Sequence, residues 1–251
     1  MRLTIVGCSG SVPGPDSPAS CYLVEADGFS LVLDLGSGAF GPLQRYVELG
    51  TLGAMLLSHL HADHCMDLSA LPVASKYGPY GRLDALPLLG PAGLVDRIVS
   101  LANITDEDDL RELEEMYDFG IVADSTFQLG PFEITARRVE HPVEAYAYRI
   151  EHGGRALVFS GDCAPCPGLD EVAQGAHLGL IEAAYRDGGR HQAGVHHTGR
   201  EAGELAARCK VGRLVVTHVP PWGDPDRQAA DARSACSCPV DVARSGDTYE
   251  I

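Results

Sequence analysis

The sequence predicts an α/β fold (α+β) in which two β-sheets pack face to face and helices cover the outer faces, an αββα sandwich. The main observation is a repeated order of elements. A hairpin, an acidic turn, a helix, a strand and a Ser/Thr-His pair occur twice along the chain. Hydrophobic residues make up 45% of the 251 residues, which is enough for a substantial core. We expect residues 1–251 to form a single domain.

The first copy of this order follows the strand Leu3–Gly7 and a loop rich in Gly, Ser and Pro. Its hairpin turns at Asp27-Gly28, a dipeptide typical of two-residue hairpin turns, and its acidic turn is at Asp34. The predicted elements are the strands Tyr22–Glu25 and Phe29–Leu33, a helix over residues 40–49, and the strand Ala54–Leu57, which runs into Ser58-His59.

The second copy has a hairpin that turns at Gly153-Gly154 and ends at Ser160-Gly161-Asp162. Both copies place an Asp and a His at strand ends, where two packed sheets can present side chains to one cleft. The predicted elements are the strands Tyr146–Ile150 and Ala156–Phe159, a helix over residues 200–209, and the strand Arg213–Val216, which runs into Thr217-His218.

A separate acidic segment, residues 105–116, also predicts a helix. Thr105 is a suitable N-cap, and the acidic side chains that follow it favour the positive end of the helix dipole. Leu110, Leu113 and Met116 give it one apolar stripe. We expect a solvated surface helix, and a lid or a dimer contact is the alternative.

The net charge and the composition limit the classes of molecule that this protein could bind. The net charge of −16 disfavours polyanions such as tRNA and anionic membrane surfaces, so we expect a small-molecule substrate. No apolar run approaches the ~20 residues of a membrane span, and the first residues resemble a strand rather than a signal peptide. We therefore expect a cytoplasmic protein with its eight cysteines reduced. A homodimer stays an open alternative to a monomer.

The clearest chemical signal is the run His59-Leu60-His61-Ala62-Asp63-His64, directly after a predicted strand. Imidazole and carboxylate are ligands that zinc and neighbouring divalent metals prefer. Four such side chains within six residues would be costly to bury without a metal. Three more candidates stand at predicted strand ends: His141, Asp162 and His218. The sequence therefore predicts a metal site.

This set of residues resembles the metallo-β-lactamase superfamily over nearly the whole chain. The resemblance implies two divalent metal ions, Zn²⁺ by histidine content, with Mn²⁺ or Fe²⁺ as alternatives at the more carboxylate-rich site. It assigns His59, His61 and His141 to one metal and Asp63, His64 and His218 to the other, with Asp162 bridging both. The best-known β-lactamases carry a cysteine at the bridging position, so Asp162 argues against a β-lactamase.

Two motifs indicate which branch of the superfamily the chain resembles. His196-His197-Thr198-Gly199 is similar to the His-x-Ser/Thr-Ala/Gly motif of ribonuclease Z and related phosphodiesterases, which implies that His196 is a general acid. Ile181-Glu182-Ala183-Ala184-Tyr185 is similar to the His-Glu-Ala-Thr loop of that branch, so Glu182 orients His196 or, alternatively, caps a helix. We expect the neighbouring His197 to be exposed.

A third likeness is in the N-terminal loop, Val6 to Ser20, which resembles the opening of actinobacterial cyclic-nucleotide phosphodiesterases of this fold. The backbone of such a loop can contact an anion. We assign Ser9 and Ser11 of this loop, together with Thr198, to substrate binding. The alternative for the loop is that it only packs beside the site.

The function implied is hydrolysis of a small phosphodiester, a 3′,5′-cyclic nucleotide above all. A metal-bound hydroxide would attack phosphorus with His196 as general acid, and Glu182 and Asp63 complete the catalytic set. Ribonuclease Z-type cleavage of tRNA and a non-catalytic, metal-containing metabolite-binding protein are the alternatives. Asp34 is expected to orient a ligand histidine or, alternatively, to form an ordinary strand-end turn.

Two cysteine pairs have no assigned role in this function. Cys163 and Cys166 follow the bridging Asp162, and Cys236 and Cys238 lie near the C-terminus. We expect packed thiols at the first pair, with a redox or metal role as the alternative.

Overall fold

The computed structural model describes residues 1–79 and 85–251, and its strands form two seven-stranded sheets. Each sheet is built largely from one half of the chain. In chain order the strands are β1 (Arg2–Gly7), β2 (Cys21–Ala26), β3 (Phe29–Leu33), β4 (Ala54–Leu56), β5 (Leu86–Gly90), β6 (Tyr117–Ile121), β7 (Ser125–Leu129), β8 (Phe132–Arg138), β9 (Tyr146–His152), β10 (Arg155–Phe159), β11 (Leu178–Glu182), β12 (Leu214–Thr217), β13 (Val240–Val242) and β14 (Thr248–Glu250).

Short helices connect and cover these strands. No helix in the two described ranges is long and apolar enough to cross a lipid bilayer. The helices are α1 (Phe40–Leu43), α2 (Ala62–Cys65), α3 (Ala70–Tyr77), α4 (Leu94–Ala102), α5 (Glu107–Met116), α6 (Pro167–Ala173), α7 (Gly199–Arg208) and α8 (Pro225–Arg233), with 3-10 turns at Leu49–Thr51 and Met66–Ser69.

The two sheets share one topology. The first has the order β14-β1-β2-β3-β4-β5-β6, with β1 to β3 antiparallel and β3 to β6 parallel. The second has the order β13-β12-β11-β10-β9-β8-β7, with β7 to β10 antiparallel and β10 to β13 parallel. Parallel neighbours place their carboxyl ends at one edge, and the predicted site residues follow those ends.

Three apolar clusters fill the layers of the molecule. Leu31 and Leu33 of β3 face the central cluster between the sheets, while Val32 faces a second cluster under the helices of the first half. This alternation follows the two-residue period of a strand that is buried on both faces. A third cluster packs α6, α7 and α8 on the second sheet. The predicted αββα sandwich is confirmed.

Several predicted elements differ in detail. The repeat is less regular than predicted, because β4 pairs directly with β3, whereas β11 lies between β10 and the strand β12 that leads to His218. The predicted helix over 40–49 is wrong beyond Leu43, because the chain forms turns from Gln44 onward and a short 3-10 turn at Leu49–Thr51. Helix 200–209 is shifted by one residue to Gly199–Arg208.

The acidic helix α5 is present, but its predicted cap is wrong. Asp106 rather than Thr105 is the N-cap, and its carboxylate accepts a hydrogen bond from the backbone N–H of Asp109 at 2.8 Å. Leu113 and Met116 are buried while most other side chains of α5 are exposed, as expected for a surface helix. A lid or dimer role for α5 stays a prediction.

Candidate metal centre and acid–base pair

The histidine-rich run occupies the turn between β4 and α2. His59 follows the end of β4, His61 takes the N-cap position of α2, and Asp63 and His64 lie within that helix. The turn brings all four side chains to the edge of the sheet where parallel strands end. His59 and His64 are fully buried and His61 is half-buried.

Three imidazoles form the first cluster. His59 Nε2 lies 3.0 Å from His61 Nδ1, and His141 Nε2 lies 3.1 Å from the same atom. Burial lowers the pKa of all three histidines, which favours the neutral form that binds metals. Three neutral imidazoles with converging nitrogens are a suitable ligand set for a divalent cation.

A second cluster joins Asp63, His64, Asp162 and His218, whose ligand atoms all lie within 4.8 Å of one another. Asp162 is central, with one oxygen 3.0 Å from His218 Nε2 and the other 3.2 Å from His64 Nε2. The same carboxylate lies 3.8 Å from His59 Nε2 in the first cluster. Asp162 therefore occupies the position between the clusters, as the resemblance implied.

Buried polar atoms without partners show that this cluster fits a metal ion. His64 Nε2, Asp162 Oδ1 and His218 Nε2 are buried and make no hydrogen bond within the described residues. Unpaired buried polar atoms are costly unless a ligand satisfies them. Each of these atoms can coordinate a cation, so the donor set explains the lack of protein partners.

Both carboxylates are held in the ionised form. Burial would raise the pKa of Asp63, but the proximity of His64, whose Nε2 lies 3.4 Å from Asp63 Oδ2, and of His218 outweighs it and lowers the pKa to about 2. Burial opposes ionisation of Asp162 too, yet His218 and His64 hold its pKa well below the usual range. Ionised carboxylates are the form that ligates metals.

Hydrogen bonds on the far side of the His64 and His141 rings fix their tautomers. His64 Nδ1 donates to the buried carboxylate of Asp34 at 2.7 Å, and His141 Nδ1 donates to the carbonyl of Val195 at 3.0 Å. His218 Nδ1 lies 3.0 Å from Ser20 Oγ. With the proton on Nδ1, the lone pair of Nε2 faces the cluster. Sequence reasoning missed Ser20 and Val195, which carry no motif.

Asp34 connects several of these groups. Its carboxylate also accepts hydrogen bonds from the backbone N–H of Ser58 at 2.7 Å and from Ser58 Oγ at 2.8 Å. Because Ser58 Oγ donates to Asp34, it can accept from His59 Nδ1, 3.0 Å away. Asp34 thus orients two histidines, which agrees with the orienting role predicted for it rather than with an ordinary turn.

Glycine is required where the chain enters Asp162. Gly161 has φ +55°, and a Cβ added there would lie 2.7 Å from the Cβ of Ser58. Only a residue without a side chain permits this approach between the two halves of the site.

Glu182 and His196, which were predicted to act as an acid–base pair, are in contact at the end of β11. Glu182 is fully buried, and its Oε1 lies 2.8 Å from His196 Nδ1. The carboxylate also accepts the backbone N–H groups of Cys163 at 2.9 Å and Ala184 at 3.0 Å. These bonds orient Glu182 toward His196. The alternative that Glu182 caps a helix is wrong, because neither Cys163 nor Ala184 is at the start of a helix.

His196 lies across both clusters. Its ring centroid is 5.7 Å from that of His141 and 5.7 Å from that of His218. Burial would lower the pKa of His196, but the charge and hydrogen bond of Glu182 outweigh it and raise the pKa to about 9. A protonated imidazole held beside two cation sites can bind an anionic group or donate a proton to it.

The prediction that His197 is exposed is wrong. His197 is fully buried, and its Nδ1 donates to the carbonyl of Cys163 at 2.6 Å. Adjacent side chains in an extended segment point to opposite sides, so His196 faces the cleft and His197 faces inward. The buried ring ties this segment to the one that carries Asp162.

The residues assigned to substrate binding make other contacts. Ser9 Oγ donates to the carbonyl of Val12 at 2.8 Å, and a Cβ on Gly10 would lie 2.1 Å from the carbonyl oxygen of His218. These contacts favour the packing alternative for the N-terminal loop. Ser11 is exposed, with φ +63°. Thr198 is buried and forms a capping box with Glu201 at the start of α7. Substrate binding by these three residues stays a prediction.

The two residues of each cysteine pair lie close to each other. Cys163 is fully buried, Cys166 is half-buried, and the neighbouring thiol of Cys166 together with burial raises the pKa of Cys163. Cys236 Sγ and Cys238 Sγ are 3.5 Å apart and half-buried. Neither pair reaches the two histidine clusters through a hydrogen bond among the described residues, and their roles stay predictions.

Comparison with known proteins identifies the family. The sequence model of the Beta-lactamase superfamily domain matches residues 31–219, so the chain belongs to the metallo-β-lactamase superfamily. Protein ML1173 of Mycobacterium leprae is 39% identical over 258 residues, covering 100% of this chain and 89% of the relative. The chain is a metallo-hydrolase by fold and family.

Two further relatives are informative. The crystal structure of the metallo-β-lactamase fold protein YhfI from Bacillus subtilis has a TM-score of 0.87 and 28% identity, covering 99% of this chain and 98% of that one. A ribonuclease Z of Mycolicibacterium gilvum is 31% identical over 260 residues, covering 91% of this chain and 87% of the relative. Because this relative is a ribonuclease, the prediction that the chain does not act on nucleic acid is supported only by its net charge.

Proposed function

We propose that this metallo-hydrolase is a phosphodiesterase that cleaves a small cyclic phosphodiester, a 3′,5′-cyclic nucleotide, with zinc at both clusters. The observation that carries the proposal is the Glu182–His196 pair, held at 2.8 Å beside the two metal clusters. Hydrolysis of an ester needs an acid at the leaving oxygen as well as a nucleophile. The oriented imidazole of His196 beside the clusters supports this role.

Two metal ions bound at these clusters would neutralise charge on the phosphoryl group and supply an activated nucleophile. His59, His61 and His141 would hold one ion, and Asp63, His64 and His218 the other, with Asp162 shared. The chain itself contributes the proton. Glu182 engages His196 Nδ1, which leaves Nε2 to donate to the departing ribose oxygen.

Charge supports a small substrate. The chain has 35 acidic and 19 basic residues and a net charge of −16, which opposes binding of a long polyanion. The 31% identical ribonuclease Z makes RNA cleavage the second candidate function. The two candidate functions can be compared by measuring how fast the zinc-loaded protein hydrolyses a cyclic nucleotide and a tRNA precursor. Faster cleavage of the precursor would favour RNA cleavage.

The His196→Ala variant tests the role of the pair. We expect it to lower kcat on a cyclic nucleotide by roughly 10²–10⁴. The loss should be small on an activated nitrophenyl phosphodiester, whose leaving group hardly needs a proton. Metal content should be unchanged, because His196 belongs to neither cation cluster in this assignment.

A matched control is His152→Ala, which breaks another histidine–carboxylate pair, with Asp27 at 2.9 Å, outside the site. It should leave both activities at the parental level. Equal losses on the natural and activated substrates in His196→Ala would refute proton donation. No loss on either would refute the phosphodiesterase mechanism.

A further inference from the structure

A cavity of about 490 Å³ is lined by Tyr185 and contains none of the residues of the two cation clusters. Its volume is within the range of about 300–1,000 Å³ that is common for small-molecule sites. Aromatic and basic side chains dominate its lining. The residues that matter here are Tyr185, Arg186, Arg190, His191, Trp222 and Arg227.

Aromatic contacts connect this cavity to the proposed acid. The Tyr185 ring meets the His196 ring edge to face, with centroids 5.0 Å apart and an interplanar angle of 89°. On its other side Tyr185 stacks on His191 at 4.6 Å and 16°. The Tyr185 backbone is fixed, because its N–H donates to His197 and its carbonyl accepts from Gln228. Tyr185 therefore connects the wall of the cavity to the ring of His196.

Trp222 forms an exposed aromatic surface in the same cavity. It is the single tryptophan of the chain, and its side chain is 73% exposed. An exposed indole in a cavity can stack on a flat ligand.

The cavity is also a basic region on an acidic chain. It is lined by three arginines and one carboxylate, Asp224, although the chain has only 19 basic residues and 35 acidic ones. Arg227 lies 3.8 Å from Asp231, and Asp187 is paired with Arg200. Within residues 1–79 and 85–251, no carboxylate forms an ion pair with Arg186 or Arg190.

We infer that this cavity binds the nucleobase of a mononucleotide while its phosphate lies at the metal clusters. Aromatic rings and arginine planes stack on bases, and arginine donors bind base edges or phosphate oxygens. The local positive charge on an acidic surface favours one anionic nucleotide over a long strand. The inference rests on the proposed function for the identity of the substrate, but base binding can be measured separately.

The test uses the fluorescence of Trp222 in the zinc-loaded protein. Adenosine 5′-monophosphate is titrated against ribose 5-phosphate, which lacks the base, and neither is a phosphodiester. We expect saturable quenching by the nucleotide and none by the sugar phosphate.

Calorimetry then compares variants. Trp222→Ala should weaken nucleotide binding about tenfold, the scale of losing one base–aromatic stack, and Trp222→Phe should remain within about threefold of the parent. Tyr77→Ala, another exposed aromatic on α3, should have no effect.

Equal responses to the nucleotide and the sugar phosphate, or unchanged nucleotide affinity in Trp222→Ala, would overturn the inference. Quenching only by an oligoribonucleotide would overturn it in favour of RNA. Nucleotide quenching by a protein that hydrolyses no phosphodiester would support the base subsite while refuting the proposed function.

Discussion

The substitution Asp34→Asn tests how the cluster holds His64. The Asp34 carboxylate is fully buried and accepts three hydrogen bonds of 2.7, 2.8 and 2.7 Å, one of them from His64 Nδ1. Asparagine would keep its oxygen toward the Ser58 backbone and place its NH₂ group at His64. That NH₂ group must donate to Nδ1, so the imidazole proton would move to Nε2, the atom that faces Asp162.

A proton on His64 Nε2 competes with the metal ion for the lone pair. Loss of such an orienting carboxylate commonly costs 10–100-fold in metal affinity, about 1.4–2.7 kcal/mol, and we expect this loss at one of the two sites. Competition with a chromophoric zinc chelator measures it. The control Asp124→Asn removes a carboxylate that accepts the Arg138 N–H at 2.6 Å outside the site. Two zinc ions held with parental affinity in Asp34→Asn would refute the reasoning.

Two further predictions concern the segment around Asp162. Gly161→Ala should lower the free energy of unfolding by at least ~1–2 kcal/mol for its left-handed backbone, plus a steric penalty from Ser58. The control is Gly153→Ala, because Gly153 has a similar φ of +58° and a Cβ added there would meet no atom within 4 Å. The difference in unfolding free energy between the two variants, measured with denaturant, is therefore the steric penalty from Ser58. Equal losses of unfolding free energy would contradict the close contact at Gly161. Replacing Cys163 and Cys166 together by Ser should keep hydrolysis within roughly threefold. A loss of bound metal in that double variant would contradict a packing role.

The metal centre could be predicted because its signal is local. His59, His61, Asp63 and His64 lie within one turn, and burying them together has few explanations other than a metal. The distant ligands His141, Asp162 and His218 could be placed by strand ends and by resemblance. Ser20, which lies 3.0 Å from His218, could not, because a lone serine in a loop has no distinguishing pattern.

The errors in the fold arise where tertiary contacts override local preference. The strand β11 was missed as a strand, since its sequence Leu178–Glu182 is short and buried on both faces and shows no alternation. His197 was expected at the surface because one sequence cannot show which of two adjacent histidines faces the core. Its bond to the Cys163 carbonyl depends on a segment more than thirty residues away.

The most direct test of the two-metal centre is elemental analysis of the purified protein and of Asp162→Ala. Asp162 is buried between the clusters, 3.0 Å from His218 Nε2 and 3.8 Å from His59 Nε2, so it is the one ligand that both ions would share. We expect two divalent ions per parental chain. We expect the loss of at least one ion, with nearly all hydrolysis, in the variant. Two ions and full activity retained in Asp162→Ala would contradict the account.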